Sequence, residues 1–226
     1  MSSFWSAAWR IVRKDFAVEV RSKEILYTTL FFALSCVLVF VVAFVREKPP
    51  ADAAAGVLWI AIAFSGTLAL GRTFERERYS DTLRALMLSP AERPAIYFGK
   101  LLGILALLVV AEIVVVPLVA LMFQVRLFDR PLAIALLLFS GTLGFTCVGT
   151  LFAAMLVRAR SRDVLLPILL YPITIPVMIA GVRGTSALLD ATPDLPMARF
   201  WIVLLLFFDA VFLTLSLWTF EPLMTE

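Results

Sequence analysis

"ILYTTLFFALSCVLVFVVAFV", residues 25–45, runs without one charged side chain. At 1.5 Å of rise per residue, a helix of this length covers about 30 Å, the thickness of a bilayer's hydrocarbon core. Five further stretches are long and apolar enough to do the same: Ala53–Leu70, Tyr97–Phe123, Leu132–Val157, Val164–Val182 and Phe200–Phe220. The second is short and the fifth carries prolines. The third and fourth exceed one bilayer thickness and should tilt, kink or project. A transmembrane β-barrel needs short segments of alternating polarity, and none is present.

Composition supports this reading. Of the 226 residues, 62% are hydrophobic and 16% charged, whereas a soluble domain has about 45–50% and about 25%. The expected fold is all-α: a single polytopic membrane domain over residues 1–226 with six transmembrane helices.

An even number of spans puts both termini on one side, and the cations choose it. Of twenty Lys and Arg, fourteen fall in the N-terminal segment, in the loop between spans two and three, and in the loop between spans four and five. The other side holds six: Arg46, Lys48, Arg126, Arg130, Arg183 and Arg199. The positive-inside rule therefore places both termini in the cytoplasm. The first span follows a long charged segment with no small-residue cleavage site, so a removable signal peptide is not expected. A net charge of +3 mostly restates the loop bias, and nothing points to nucleic acid. Cys36 and Cys147 lie singly within predicted spans, as small packing residues do.

The sequence has no histidine, which removes the usual general base and the commonest metal ligand. It has neither a cysteine cluster nor an HExxH pattern, so no catalytic or metal site is expected. Gly66–Thr73, GTLALGRT, imitates a phosphate-binding P-loop. Arg72 replaces its lysine, however, and the glycines sit within a span with no preceding strand. If this chain uses energy, a partner supplies it.

Two amphipathic elements lie on the cytoplasmic side. In residues 1–24, Trp5, Trp9, Val12, Phe16 and Val20 share a narrow arc at 100° per residue, with Arg10, Arg13, Lys14 and Arg21 away from it. Tryptophans opposite cations suit a helix lying in the membrane interface; a helix packed against other loops is the alternative. The second element lies in the loop 74–94, "FERERYSDTLRALMLSPAERP". Tyr79, Leu83, Leu86 and Met87 fall at i, i+4, i+7 and i+8, while Asp81 and Arg84 turn away. Ser80 or Asp81 can cap the start, and Ser89-Pro90 ends it. So short a helix is marginal alone, and its apolar face calls for a partner surface. A charged loop with a transient helix remains the plainer reading.

This arrangement resembles the type-2 ABC exporter permeases, which have an interfacial N-terminal helix, six spans and a coupling helix between spans two and three. More narrowly, it resembles the heme exporter protein B family, permease-like subunits of cytochrome c maturation systems. The likeness covers nearly the whole chain. It is most specific over residues 56–101 and over "LLPILLYPITIPVMIAG", residues 165–181. The matching positions are Gly56, Trp59, Phe74, Glu75, Leu83, Leu86, Leu88, Pro90 and Lys100, then Pro167, Pro172, Ile175 and Pro176. One departure is Ser80-Asp81-Thr82, where members often carry an Asp-Gly pair.

The resemblance implies a bacterial inner-membrane subunit, with ATP bound by a separate cytosolic ABC ATPase. It also implies haem-handling membrane subunits, a periplasmic haem chaperone and two permease copies per complex. Phe74, Glu75, Tyr79, Leu83, Arg84 and Leu86 become the candidates for transmitting the ATPase cycle. Haem is the implied cargo or handled ligand rather than a bound cofactor, since this chain offers iron no imidazole.

Inside the membrane, Pro167, Pro172 and Pro176 predict an irregular fifth span, either a hinge that moves with the ATPase or a static kink. Tyr171 and Thr174 are available to the carbonyls so freed. Glu112 and Asp209 stand near mid-span, where carboxylates cost several kcal/mol on the order of insertion scales and should face the bundle interior. Gly99, Gly103, Gly141, Gly144 and Gly149 supply smooth faces for close packing. Beyond the fifth span, a short helix is expected near Ser186–Leu189. Two rival functions remain: export of a drug, lipid or polysaccharide, and a scaffold that assembles haem-handling subunits without transporting anything.

Overall fold

The computed structural model describes residues 2–44, 51–79, 93–159, 161–190 and 192–223. Among them are seven α-helices: α1 (Ser2–Ser22), α2 (Glu24–Ala43), α3 (Ala51–Tyr79), α4 (Arg93–Phe123), α5 (Pro131–Met155), α6 (Arg162–Leu189) and α7 (Leu195–Leu223). The last six are each long and apolar enough to cross a membrane. Short 3₁₀ turns precede and follow α5.

Helix ends follow local chemistry. Pro131 opens α5 at a position where its missing N–H is no loss. Asp194 accepts a hydrogen bond from the Met197 N–H at 3.0 Å and so caps α7. Between α1 and α2 the chain turns sharply through Lys23, at φ 55°. Glu19, near the end of α1, accepts the backbone N–H of Leu26 at 2.8 Å, satisfying one of the donors that a helix start leaves open.

The spans alternate in direction around two buried apolar clusters. One, at the α1 end, gathers Leu70, Phe74, Tyr97, Phe145, Leu151 and Leu166. The other gathers Leu58, Trp59, Val116, Leu137 and Val177. Helix α5 packs against α6 and α7, and α3 packs against α2 and α6. Apolar residues that point outward, such as Phe31, Leu132, Phe207 and Trp218, are left exposed, as a lipid-facing surface requires.

Helix α1 lies against α4. Its buried face is narrow, made of Ala7, Ala8 and Ile11. A Cβ at Gly99 of α4 would stand 2.9 Å from the Ile11 Cβ and 3.0 Å from the Ala8 carbonyl oxygen, so the two helices meet nearly backbone to backbone. Trp5, Trp9, Phe16 and Val20 stay outside, 54–66% exposed. The tryptophan arc is thus left exposed while a second face holds the helix to the bundle.

Three sequence expectations need correction. Residues 74–79 do not begin a loop but extend α3, because Phe74 is buried and the run of Glu and Arg favours helix. The fifth span is not interrupted: α6 is one continuous helix with all three prolines inside. Its buried positions Leu166, Leu170, Thr174, Val177 and Gly181 hold it against the bundle, whereas Pro172 and Pro176 face outward. Thr174 donates to the Leu170 carbonyl at 2.9 Å, and the Tyr171 hydroxyl is engaged by Thr67 at 3.1 Å. Neither serves the carbonyls of residues 163, 168 and 172, whose usual N–H donors the prolines remove. Finally, Ser186–Leu189 is the last turn of α6 rather than a separate helix.

Candidate functional site

The end of the bundle that carries α1 also carries most of its ion pairs. On α1, Asp15 and Glu19 stand one turn apart and both look toward the bundle. Lys100 of α4 is 2% exposed, and its ammonium lies 2.5 Å from an Asp15 oxygen; Lys14 holds the other oxygen at 2.9 Å. Arg76 of α3 donates to Glu19 at 2.9 Å. Two carboxylates of α1 thus fasten it to α4 and α3. A buried pair of this kind adds little over an apolar pair, but removing one partner is costly.

A second group links α3 to α6. Glu75 lies 3.5 Å from Arg72 on its own helix and 3.7 Å from Arg162 on α6. Arg162 also approaches Asp163 at 3.4 Å. Phe74, next in the chain, belongs to the buried cluster that also holds Leu70, Leu151 and Val157. Of the candidate transmission residues, the structure therefore brings Phe74 and Glu75 to the α3–α6 contact. Leu83, Arg84 and Leu86 lie outside the described residues, as do Leu88, Pro90 and the side chain of Tyr79.

Of the proline triad, Pro167 is half-buried, while Pro172 and Pro176 look outward from α6. Both intramembrane carboxyls turn inward. Glu112 of α4 accepts a hydrogen bond from the Thr142 hydroxyl of α5. Asp209 of α7 lies against Gly144 of α5, and neither of its oxygens has a hydrogen-bond partner among the described residues. Thr142 and Gly144 are two positions apart, about 200° around the helix, so α5 separates the two acids. A buried acceptor without a partner costs about 1–3 kcal/mol. Asp209→Leu is therefore expected to raise unfolding stability in detergent by about that amount, and an unchanged or lowered midpoint would show that Asp209 is satisfied.

Sequence reasoning missed three contacts. The indole N–H of Trp59 on α3 donates to the Thr185 hydroxyl on α6 at 2.9 Å. The Tyr97 hydroxyl reaches the Cys147 carbonyl at 2.9 Å and its sulfur at 3.0 Å, so Cys147 joins a polar contact as well as packing. The third is the α1 fastening. A signal for it existed: Asp15 and Glu19 are acids at helical spacing within a strongly basic segment, on the flank of the tryptophan arc that Ala8 and Ile11 share.

Comparison with known proteins agrees with this architecture. A family model described as "CcmB protein" matches residues 6–222. Two relatives named heme exporter protein B, from Escherichia coli K12 and Shigella flexneri, are each 31% identical over 206 residues, 87% of this chain and 88% of the relative. A third, from Haemophilus influenzae, is 29% identical over 170 residues, 75% of this chain and 76% of its own length. With nearly its whole length matched, in an all-helical fold with six membrane-length helices, the chain belongs to the CcmB protein family.

Proposed function

We propose that this chain is the permease-like membrane subunit of an ABC-type complex for cytochrome c maturation. It works in the bacterial inner membrane, with the α1 end and both termini in the cytoplasm. ATP is hydrolysed by a separate cytosolic ATPase, and this chain performs no catalysis. The ATPase docks on the segment from Tyr79 to Leu88, and two copies of each subunit form the core of the complex. Haem-handling membrane subunits and a periplasmic haem chaperone complete it. The cycle drives haem export or release of the loaded chaperone.

The observation that carries this reading is the α3–α6 contact. Helix α3 runs unbroken from the bundle to Tyr79, where the segment assigned to the ATPase begins, and Glu75 near its end lies 3.7 Å from Arg162. A displacement of residues 79–88 would pass along α3 and, through Glu75 and Phe74, to α6 with its three prolines. The names of the relatives support haem as what is handled. The concentration of cations at the α1 end supports the orientation.

The test is covalent c-type haem in a strain lacking this gene. Haem-stained bands are expected to disappear and to return when the gene is restored. Unaffected bands would sink the haem reading and leave an exporter of another substrate. Haem movement in reconstituted vesicles then separates transporter from scaffold.

A further inference from the structure

Between α3 and α6, at the α1 end, lies a cleft of about 430 Å³. Its apolar wall includes Phe64 and Tyr171, whose rings meet edge to face at 5.6 Å. Its mouth carries Arg72, Glu75, Arg162 and Asp163. We propose that this cleft binds the anionic head of a membrane amphiphile, with Arg162 and Arg72 on the head and the Phe64–Tyr171 wall against the apolar body.

The argument starts from Arg162. It is 7% exposed, yet its Nη1 has no hydrogen-bond partner among the described residues. The carboxylates nearby do not repair this. Asp163 stands at 3.4 Å and is itself largely in solvent; Glu75, at 3.7 Å, is shared with Arg72 at 3.5 Å. Charge-assisted hydrogen bonds between guanidinium and oxyanion form at about 2.7–2.9 Å. A buried guanidinium served only at longer range is short of acceptors, and a phosphate or carboxylate entering the cleft would supply them. A small inorganic anion would leave the apolar wall of the cleft wet. An amphiphile fills both parts, and the cleft lies where such a molecule travels.

Two sources carry this chemistry: the phosphate of an anionic phospholipid and the propionates of a tetrapyrrole such as haem. Purified full-length protein, delipidated in detergent, would be titrated with phosphatidylglycerol by native mass spectrometry and, separately, with haemin by absorbance. Arg162→Gln is expected to weaken one of these about ten- to a hundredfold, whereas Arg126→Gln, exposed between α4 and α5 and away from the cleft, leaves both unchanged. Leu68→Trp fills the apolar side of the cleft without touching its cations. It should weaken the same probe, which keeps the test decisive where Arg162→Gln fails to fold. The probe that is lost identifies the source. Equal binding of both probes by wild type and variants overturns the proposal. Neither readout involves ATPase activity or cytochrome c, so a deletion strain lacking c-type haem, beside a cleft that binds neither probe, would end this inference and leave the haem-export reading standing.

Discussion

Gly141→Ala is expected to destabilise the protein by about 3 kcal/mol or more, at the upper end of what overpacking a core costs. The reason is the position of Trp59. A Cβ at Gly141 would stand 2.1 Å from the indole Cη2 and 2.6 Å from Cζ3. The ring has nowhere to retreat. Gly181 of α6 is closed against its fused edge, where a Cβ would stand 2.4 Å from Cε2 and 2.5 Å from Cδ2. The indole N–H is tied to Thr185, and the side chain is only 1% exposed. Trp59 is thus a wedge among α3, α5 and α6, seated in two gaps that only glycine leaves open.

Unfolding of purified protein in mild detergent measures the effect. Trp59→Ala should cost about 3–5 kcal/mol through the cavity it opens, and it also orphans the Thr185 hydroxyl. The double variant distinguishes a wedge from two unrelated defects. With the indole gone, Gly141→Ala should add almost nothing, a non-additivity of the kind that residues in contact show. A single Gly141→Ala protein as stable as wild type would mean that α5 shifts at no cost and that Trp59 is not a fixed point of the bundle.

That contact also marks where the sequence stops being readable. The number and positions of the spans were legible because a helix in lipid must be apolar along its length, a property of neighbouring residues. The outward face of α1 was legible for a similar reason, since tryptophans at helical spacing need no knowledge of the rest of the fold. Gly141 and Gly149 could be read as smooth faces, but not as the seats of Trp59 and Leu70, because those partners come from another helix. The same holds for Asp15 with Lys100 and Glu19 with Arg76, separated by 85 and 57 positions.

One boundary was misread for a local reason, and one span is more continuous than its prolines suggest. Charge after Leu70 suggests a loop, yet Arg and Glu propagate a helix well once Phe74 anchors it. Three prolines suggest an irregular span, a hinge or a static kink, and a helix held along its other face carries them without a break. Of the residues proposed to transmit the ATPase cycle, Phe74 and Glu75 were singled out by resemblance, whereas the contact of Glu75 with Arg162 required the fold.

Replacing both Leu83 and Leu86 with Asp is expected to detach or uncouple the ATPase while leaving the membrane domain folded. Helical spacing in the sequence would put the two leucines on one apolar face of the segment proposed to dock on the ATPase. Burying one leucine contributes about 1.5–3 kcal/mol, so losing both, with carboxylates in their place, should weaken association about a hundredfold or more. The bundle should not notice, because α3 is already anchored at Phe74 and cross-linked at Glu75, before the altered residues begin. Co-purification of the ATPase with the tagged chain reads the loss, and monodispersity in detergent reads the integrity of the bundle. Glu75→Gln makes the complementary test: the ATPase should still bind, but its hydrolysis should no longer respond to the membrane subunits. If the double aspartate variant retains the ATPase and its regulation, the segment between α3 and α4 is not the docking site. Energy would then have to enter elsewhere at the α1 end, where α1 itself, fastened to α3 and α4 through Glu19 and Asp15, offers the next surface able to move both helices.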